Sequence, residues 1–236
     1  MAMTPASKPM KLIFTKSMTP IPSRLYLITP DNLPASRLLA VIERIISRVP
    51  CILQFRQKKS VFSEQLKLAR KLRDLCQRYD CLFIINDDAQ LAVEVKADGL
   101  HLGKGDMAVT EARQIIGLET FIGVSCYADI GNAQIAIKAG ANYVAFGSVF
   151  GSVTKPDAQR CSLATLKAAS QLSVPVVAIG GIRPDNAALV VANGIHRLAV
   201  IDSVFAASDP LAAAIQLHQI ISNVTESTYA NELVKP

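Results

Sequence analysis

Short apolar runs of three to five residues recur along the chain from Arg24 onward. Each is followed by a polar or glycine-bearing turn and then by a segment whose apolar residues return every three or four positions. The runs lack the polar alternation of a half-exposed strand, so they predict parallel strands covered on both faces. The periodic segments predict amphipathic helices. The first strand is Leu25 to Ile28, with a helix near Ser36 to Arg48 that turns Leu38, Ile42 and Ile45 to one face. Cys51 to Phe55 is the second strand, followed by a helix near Ser63 to Tyr79 that buries Leu66, Ala69, Leu72 and Cys76. Leu82 to Ile85 and Leu100 to Leu102 are the third and fourth strands, joined by a short helix through Leu91 and Val95 and followed by one over Val109 to Ile116. Strand five is Phe121 to Val124 with a helix from about Ile130 to Ala139. Strand six is Tyr143 to Phe146, with a long loop Gly147 to Arg160 and a helix near Leu163 to Gln171. Strand seven, Val176 to Ile179, precedes Gly180-Gly181 and a helix starting near Pro184; strand eight is Leu198 to Ile201, and a last helix runs from about Pro210 to Ile221.

Eight such units close most naturally into a single-domain (β/α)8 TIM barrel over residues 24–222. A doubly wound open sheet is the alternative, but no G-x-G-x-x-G follows the first strand. Residues 1–23, rich in Met, Pro, Ser and Lys, are expected to be a flexible extension, and 223–236 a loose polar tail.

The 236 residues are half hydrophobic with a mean hydropathy of +0.30, enough for a sizeable core, yet no run approaches the roughly 20 apolar residues of a membrane span. Five cysteines without C-x-x-C spacing indicate neither a zinc site nor a disulfide framework, and fit a reducing cytoplasm. The net charge of +6 is spread over helical segments such as Lys67, Arg70, Lys71 and Arg73 and is not interleaved with aromatics. Nucleic acid is therefore not expected as a partner, whereas an anionic small molecule is. Oligomeric state is left open, a homo-oligomer included.

In a barrel the C-terminal strand ends share one face, where chemistry collects. Strand two supplies Gln54, Arg56 and Lys58; strand three Asn86 and Asp87; strand four His101 and Asp106; strand five Ser125. The long loop adds Ser152, Thr154 and Lys155, strand seven Gly180 and Gly181, and strand eight Asp202 and Ser203. Asp87 and Asp106 end neighbouring parallel strands, so their carboxylates converge, and a carboxylate pair with Lys and Asn nearby suits Mg²⁺ carrying a phosphate or diphosphate. Taken singly, either aspartate reads more readily as a cap of the helix that follows it, and only the rest of the rim tips the balance. His101, between two leucines, is read as a hydrogen-bonded structural residue and is given no catalytic role. Gly180-Gly181 suits both a close backbone approach to phosphate and a plain strand-to-helix turn.

Six stretches in one order then carry a resemblance: QFRQK at Gln54 to Lys58, INDD-x-x-LA at Ile85 to Ala92, ADG-x-HLGKGD at Ala97 to Asp106, IGVS at Ile122 to Ser125, FGSVFGSVTKPDA at Phe146 to Ala158, and AIGGI at Ala178 to Ile182. From about Arg24 to Pro210 the chain resembles the thiamine-phosphate synthase family, (β/α)8 transferases that join a pyrimidine diphosphate to a thiazole phosphate. The resemblance implies that Gln54, Arg56, Lys58, Asn86 and Lys155 hold the pyrimidine diphosphate, with Ser125 against the ring. It implies Mg²⁺ on Asp87 and Asp106, and the thiazole phosphate on Ser152, Thr154, Gly181, Ile201 and Asp202. Lys58, Lys155, Asp87 and Asp106 would then carry the chemistry.

The chain departs from the family pattern at Gln57, where Glu is usual, at Lys104, where Gln is usual, and at Gly151-Ser152, where a Pro-Thr pair is usual. At Asp202 a Ser is common, and a carboxylate beside a phosphate leaves the binding to backbone N–H groups. Two rival readings are a thiazole tautomerase-like barrel, which has little use for Asp87, Asp106, Lys58 and Lys155 together, and a phosphate-ligand binder without catalysis.

Overall fold

The computed structural model describes residues 25–151 and 160–232. Among them eight parallel strands close into a barrel in sequence order, β1 (Leu25–Ile28), β2 (Cys51–Phe55), β3 (Leu82–Asn86), β4 (Gly99–Leu102), β5 (Phe121–Tyr127), β6 (Tyr143–Phe146), β7 (Val176–Ile179) and β8 (Leu198–Val200). The helices between them are α1 (Ala35–Ile46), α2 (Phe62–Arg78), α3 (Ala89–Glu94), α4 (Val109–Ile116), α5 (Ile130–Lys138), α6 (Leu163–Ala169) and α7 (Ala187–Ala192). After β8 come a four-residue helix α8 (Asp202–Phe205) and the long α9 (Pro210–Glu232). β8 pairs with β1 through Leu25–Leu198, so the sheet has no open edge and the doubly wound alternative falls.

Two apolar layers hold this arrangement. The larger lies between the barrel and its helices and includes Leu27, Ile42, Leu53, Leu72, Phe83, Leu100 and Leu217. The smaller fills the barrel, where Tyr26, Ile28, Ile52, Ile84, Tyr143, Val177 and Ala199 meet. Alternate residues of each strand face one layer or the other, which is why the strands read as continuous apolar runs.

Three elements differ from the sequence reading. α9 runs on to Glu232 instead of ending at Ile221, since neither glycine nor proline interrupts residues 222–232. α7 starts at Ala187, three residues after Pro184, because the Asn186 side chain accepts the Arg183 N–H at 2.8 Å and folds 183–186 into a turn. α8 was not expected at all. Smaller shifts lengthen β5 through Ser125 to Tyr127 and leave Leu66 only half-buried while Leu68 and Leu75 join the core.

Candidate active site

The turn after β1 organises the first corner of the rim. Asp31 pairs with the Arg56 guanidinium at 2.5 Å and accepts the Lys58 backbone N–H at 3.0 Å. Thr29 adds a second clamp, its hydroxyl donating to the Arg56 carbonyl at 2.9 Å and accepting the Arg56 N–H at 2.8 Å. Partial burial pushes the Asp31 carboxyl up, but the Lys58 N–H and the Arg56 guanidinium outweigh it and hold the group below its ordinary value. A depressed carboxyl contributes stability that is present above its unfolded-state pKa and lost as pH falls through the folded one. Asp31→Asn is therefore expected to lower Tm at neutral pH, with the gap to the parent protein closing only below the usual carboxylate range. A gap that persists unchanged well below that range removes the pairing from the stability account.

Lys58 itself reaches across to β3, where its Nζ lies 3.1 Å from Asp87 Oδ2. Asp87 has a φ of +66°, a left-handed conformation that costs a non-glycine residue about 1 kcal/mol, and its N–H donates to the His101 carbonyl at 2.8 Å. Asp106 is folded back so that its carboxylate accepts the Gly103 N–H. Its carboxyl is pushed up, first by burial and then by the neighbouring Asp87, against the downward pull of Gly103 N–H and Lys58. Lys58, Asp87 and Asp106 thus meet at one point of the rim, beside a cavity of about 240 Å³ lined by Gln57, Lys58, Asn86, Asp87 and Asp88 among others.

Neither aspartate is a helix cap. The residue that caps α3 is Asp88, which accepts the Leu91 N–H at 2.9 Å, and the N-cap of α4 is Ala108. The capping alternative weighed for Asp87 and Asp106 is thereby excluded by geometry.

On the opposite part of the rim, Gly180 and Gly181 (φ +110° and +62°) lie backbone to backbone against the segment after β6. A Cβ on Gly181 would sit 2.2 Å from the Gly151 carbonyl oxygen, and one on Gly180 would sit 2.7 Å from the Ser148 Cα. Val149 and Phe150 N–H groups donate to the Ile179 and Gly180 carbonyls at 3.1 and 3.0 Å, so the glycines are needed for this packing, a reason neither sequence reading contained. Ile201 lies between β8 and α8 as the N-cap of that helix, and Asp202 opens α8 and is exposed. Ser152, Thr154 and Lys155 lie outside the described residues.

Inside the barrel, Gln54 donates from Nε2 to the Tyr26 hydroxyl at 2.9 Å, and Ser125 Oγ lies 2.9 Å from His101 Nε2. His101 is buried and fully engaged, which agrees with the structural role expected of it; burial pushes its pKa down to about 4 in spite of Asp106. Sequence reasoning missed Thr29, Asp31, Tyr26, Tyr143 and Gln65, the last of which braces the β2 turn by donating to the Gln57 and Ser60 carbonyls at 2.7 and 3.0 Å. A signal existed for Asp31, a carboxylate in the polar turn immediately after strand one. The inventory of strand ends began at strand two.

The sequence and the fold have known counterparts. The family model described as thiamine monophosphate synthase matches residues 25–204. The chain belongs to the thiamine monophosphate synthase family. Among relatives in that family, the thiamine-phosphate synthase of Azoarcus sp. (strain BH72) is 48% identical over 81% of this chain and 93% of its own length. That of Methylobacillus flagellatus is 43% identical over 87% and 98%. A solved thiamine phosphate pyrophosphorylase from Pyrococcus furiosus superposes with a TM-score of 0.76 at 34% identity, covering 85% of this chain and 96% of that one. Family membership fits a rim on which carboxylates, lysine and amides gather at the ends of β2 to β4.

Proposed function

We propose that the protein joins 4-amino-2-methyl-5-pyrimidinylmethyl diphosphate to a thiazole ethyl phosphate, giving thiamine phosphate and pyrophosphate. The observation that carries this reading is the meeting of Lys58, Asp87 and Asp106 at one point, on a chain whose relatives are named for the same synthase activity. A tautomerase-like barrel or a passive phosphate binder gains nothing from a carboxylate pair that shares a single lysine.

The donor set fits Mg²⁺. Asp106, whose carboxyl is pushed up by burial and by Asp87, shares a single lysine with that neighbour, so the site is short of positive charge. Among the described residues no group of three or more His, Cys, Asp or Glu gathers as a metal cage, and Mg²⁺ commonly uses one or two carboxylates plus water and substrate phosphate. Asp87 and Asp106 would hold the ion, which when bound would supply charge neutralisation on the diphosphate oxygens.

The remaining work falls to the chain. Arg56, fixed by Asp31, and Lys58 neutralise the diphosphate; Asn86 lines the same cavity and offers an amide donor; Gln54 and Ser125 hold the ring. As the bond from the exocyclic carbon to the bridging oxygen breaks, the electron pair leaves with the diphosphate and the electron-rich aminopyrimidine bears the positive charge. The thiazole nitrogen then donates its lone pair to that carbon, so no protein nucleophile is required. In this reading Lys155 adds a cation at the leaving group, while Ser152, Thr154, Gly181 and the backbone at Ile201 and Asp202 hold the thiazole phosphate. Water has to be kept from the cation, since it would take the place of the thiazole.

All five cysteines are free and buried, which fits work on small phosphorylated molecules in a reducing cytoplasm. No helix among the described residues is long and apolar enough to cross a membrane. The test is direct: purified protein, both phosphorylated substrates and Mg²⁺ are expected to give thiamine phosphate and pyrophosphate in equal amounts. A folded protein that binds the substrates and releases neither product overturns the reading.

A further inference from the structure

A line of hydrogen bonds crosses the barrel interior and links Gln54 and Ser125, two residues on different strands that the synthase reading assigns to the pyrimidine. Gln54 Nε2 on β2 donates to Tyr26 Oη on β1 at 2.9 Å, and Tyr26 Oη lies 2.8 Å from Tyr143 Oη on β6. Tyr143 Oη lies 3.0 Å from His101 Nδ1 on β4, and His101 Nε2 lies 2.9 Å from Ser125 Oγ on β5. Tyr26, Gln54, Tyr143 and His101 are all buried. The space for this line is built into the strands, for a Cβ on Gly123 would fall 1.9 Å from Tyr143 Cζ and 2.3 Å from its hydroxyl oxygen. Tyr143 therefore occupies the volume a β5 side chain would fill. Its ring packs edge-on to Tyr26 with centroids 6.1 Å apart, and lies 5.6 Å from the His101 ring.

The direction of these bonds follows from proton counting. Each hydroxyl has one proton, and a neutral imidazole has one N–H. Tyr26 receives from Gln54, so its own proton goes to Tyr143. Tyr143 in turn donates to His101 Nδ1. The imidazole proton is then on Nε2 and is donated to Ser125 Oγ, which leaves the Ser125 proton free for a ligand at the barrel mouth. Gln54, its amide nitrogen committed to Tyr26, keeps an acceptor oxygen. The opposite direction would need the Gln54 amide to turn its oxygen to Tyr26, or would leave the Tyr26 proton without an acceptor.

We propose that Tyr26, Tyr143 and His101 are positioning residues that fix Ser125 as a donor and Gln54 as an acceptor, selecting a pyrimidine with an amino group and an unprotonated ring nitrogen over its 4-oxo counterpart. The inference rests on the synthase reading above. An aminopyrimidine offers an N–H donor and a ring-nitrogen acceptor, which match that pair. The oxo tautomer offers a carbonyl acceptor and a ring N–H donor, the reverse pattern, and would leave buried polar groups facing like groups.

The test uses pyrimidinylmethyl analogues of both kinds whose bridging oxygen is replaced by CH2, so that neither can ionise and only binding is read. In the presence of Mg²⁺, calorimetry on the unaltered protein is expected to give the 4-amino analogue a Kd at least about a hundredfold lower than the 4-oxo analogue. Tyr143→Phe, which cuts the line and frees His101 to take either tautomer, is expected to bring that ratio to within about tenfold while pyrophosphate alone binds as before. Tyr26→Phe cuts it at another link and serves equally if the first variant is poorly folded. A merely structural role for the tyrosines would change both affinities together and leave the ratio intact, and that result in either folded variant overturns the proposal, as does equal binding of the two analogues by the unaltered protein. Failure of the unaltered protein to bind either analogue while still binding pyrophosphate counts instead against the synthase reading, and removes the proposal with it.

Discussion

Asp106→Asn is expected to lose about three orders of magnitude or more of Mg²⁺-dependent turnover while melting no lower than the parent protein in metal-free buffer at neutral pH. The two halves have one cause. Asp106 is pushed up by burial and by Asp87, so in the absence of metal its ionised form is a liability to the fold. The native state then holds a proton more tightly than the unfolded chain does, and stability falls as pH rises through the raised pKa. Asparagine keeps an oxygen to accept the Gly103 N–H and abolishes the repulsion, so that pH-dependent loss is expected to disappear. On the proposed function, catalysis needs the charge that stability does not. Asp87→Asn is expected to lose turnover to the same degree. Calorimetric melting across the range just above ordinary carboxylate values, alongside steady-state rates, checks both halves, and a variant that is both active and metal-dependent removes the aspartate from the metal site.

The second large effect concerns the lysines. Lys58→Ala is expected to lower kcat by about a hundredfold or more, because on the proposed function its cation meets the departing diphosphate and is missed most in the transition state. Metal binding is expected to hold or tighten, since Lys58 Nζ sits 3.1 Å from Asp87 and competes with a divalent cation for the same carboxylate. Lys155→Ala is expected to share the kcat loss if its charge meets the same oxygens. An effect on KM alone would place either lysine in uniform substrate binding. Loss of metal binding in Lys58→Ala would instead make that residue a prop for the aspartates.

The fold was legible because parallel strands buried on both faces leave an unmistakable repeat. Seven of the eight strands begin and end within one residue of the apolar run that announced them, even where a polar residue or a glycine follows at once, as at Phe55 and Phe146. Helix boundaries were less legible, since Pro184 is a good first-turn residue in isolation and only the Asn186 side chain explains why the chain turns there first. The carboxylate pair was legible from strand order alone: neighbouring parallel strands end side by side, and Asp87 and Asp106 follow from that. Asp31 could have been found the same way. The interior line from Gln54 to Ser125 could not, because Tyr26 and Tyr143 sit within apolar runs 117 positions apart and read there as ordinary core. Nothing local marks a buried tyrosine as paired. Likewise Gly181 looked like a phosphate-loop or turn glycine, and its need to clear the Gly151 carbonyl is a tertiary fact.

The central claim is that Asp87 and Asp106 jointly hold a divalent ion that draws the diphosphate to the rim. Its most direct test is the affinity for the CH2-bridged pyrimidine diphosphate analogue, measured with and without Mg²⁺ in the parent protein and in the Asp87→Asn, Asp106→Asn double variant. The account predicts that Mg²⁺ tightens binding by about tenfold or more in the parent and leaves the double variant unmoved. Equal Mg²⁺ enhancement in both proteins would contradict it.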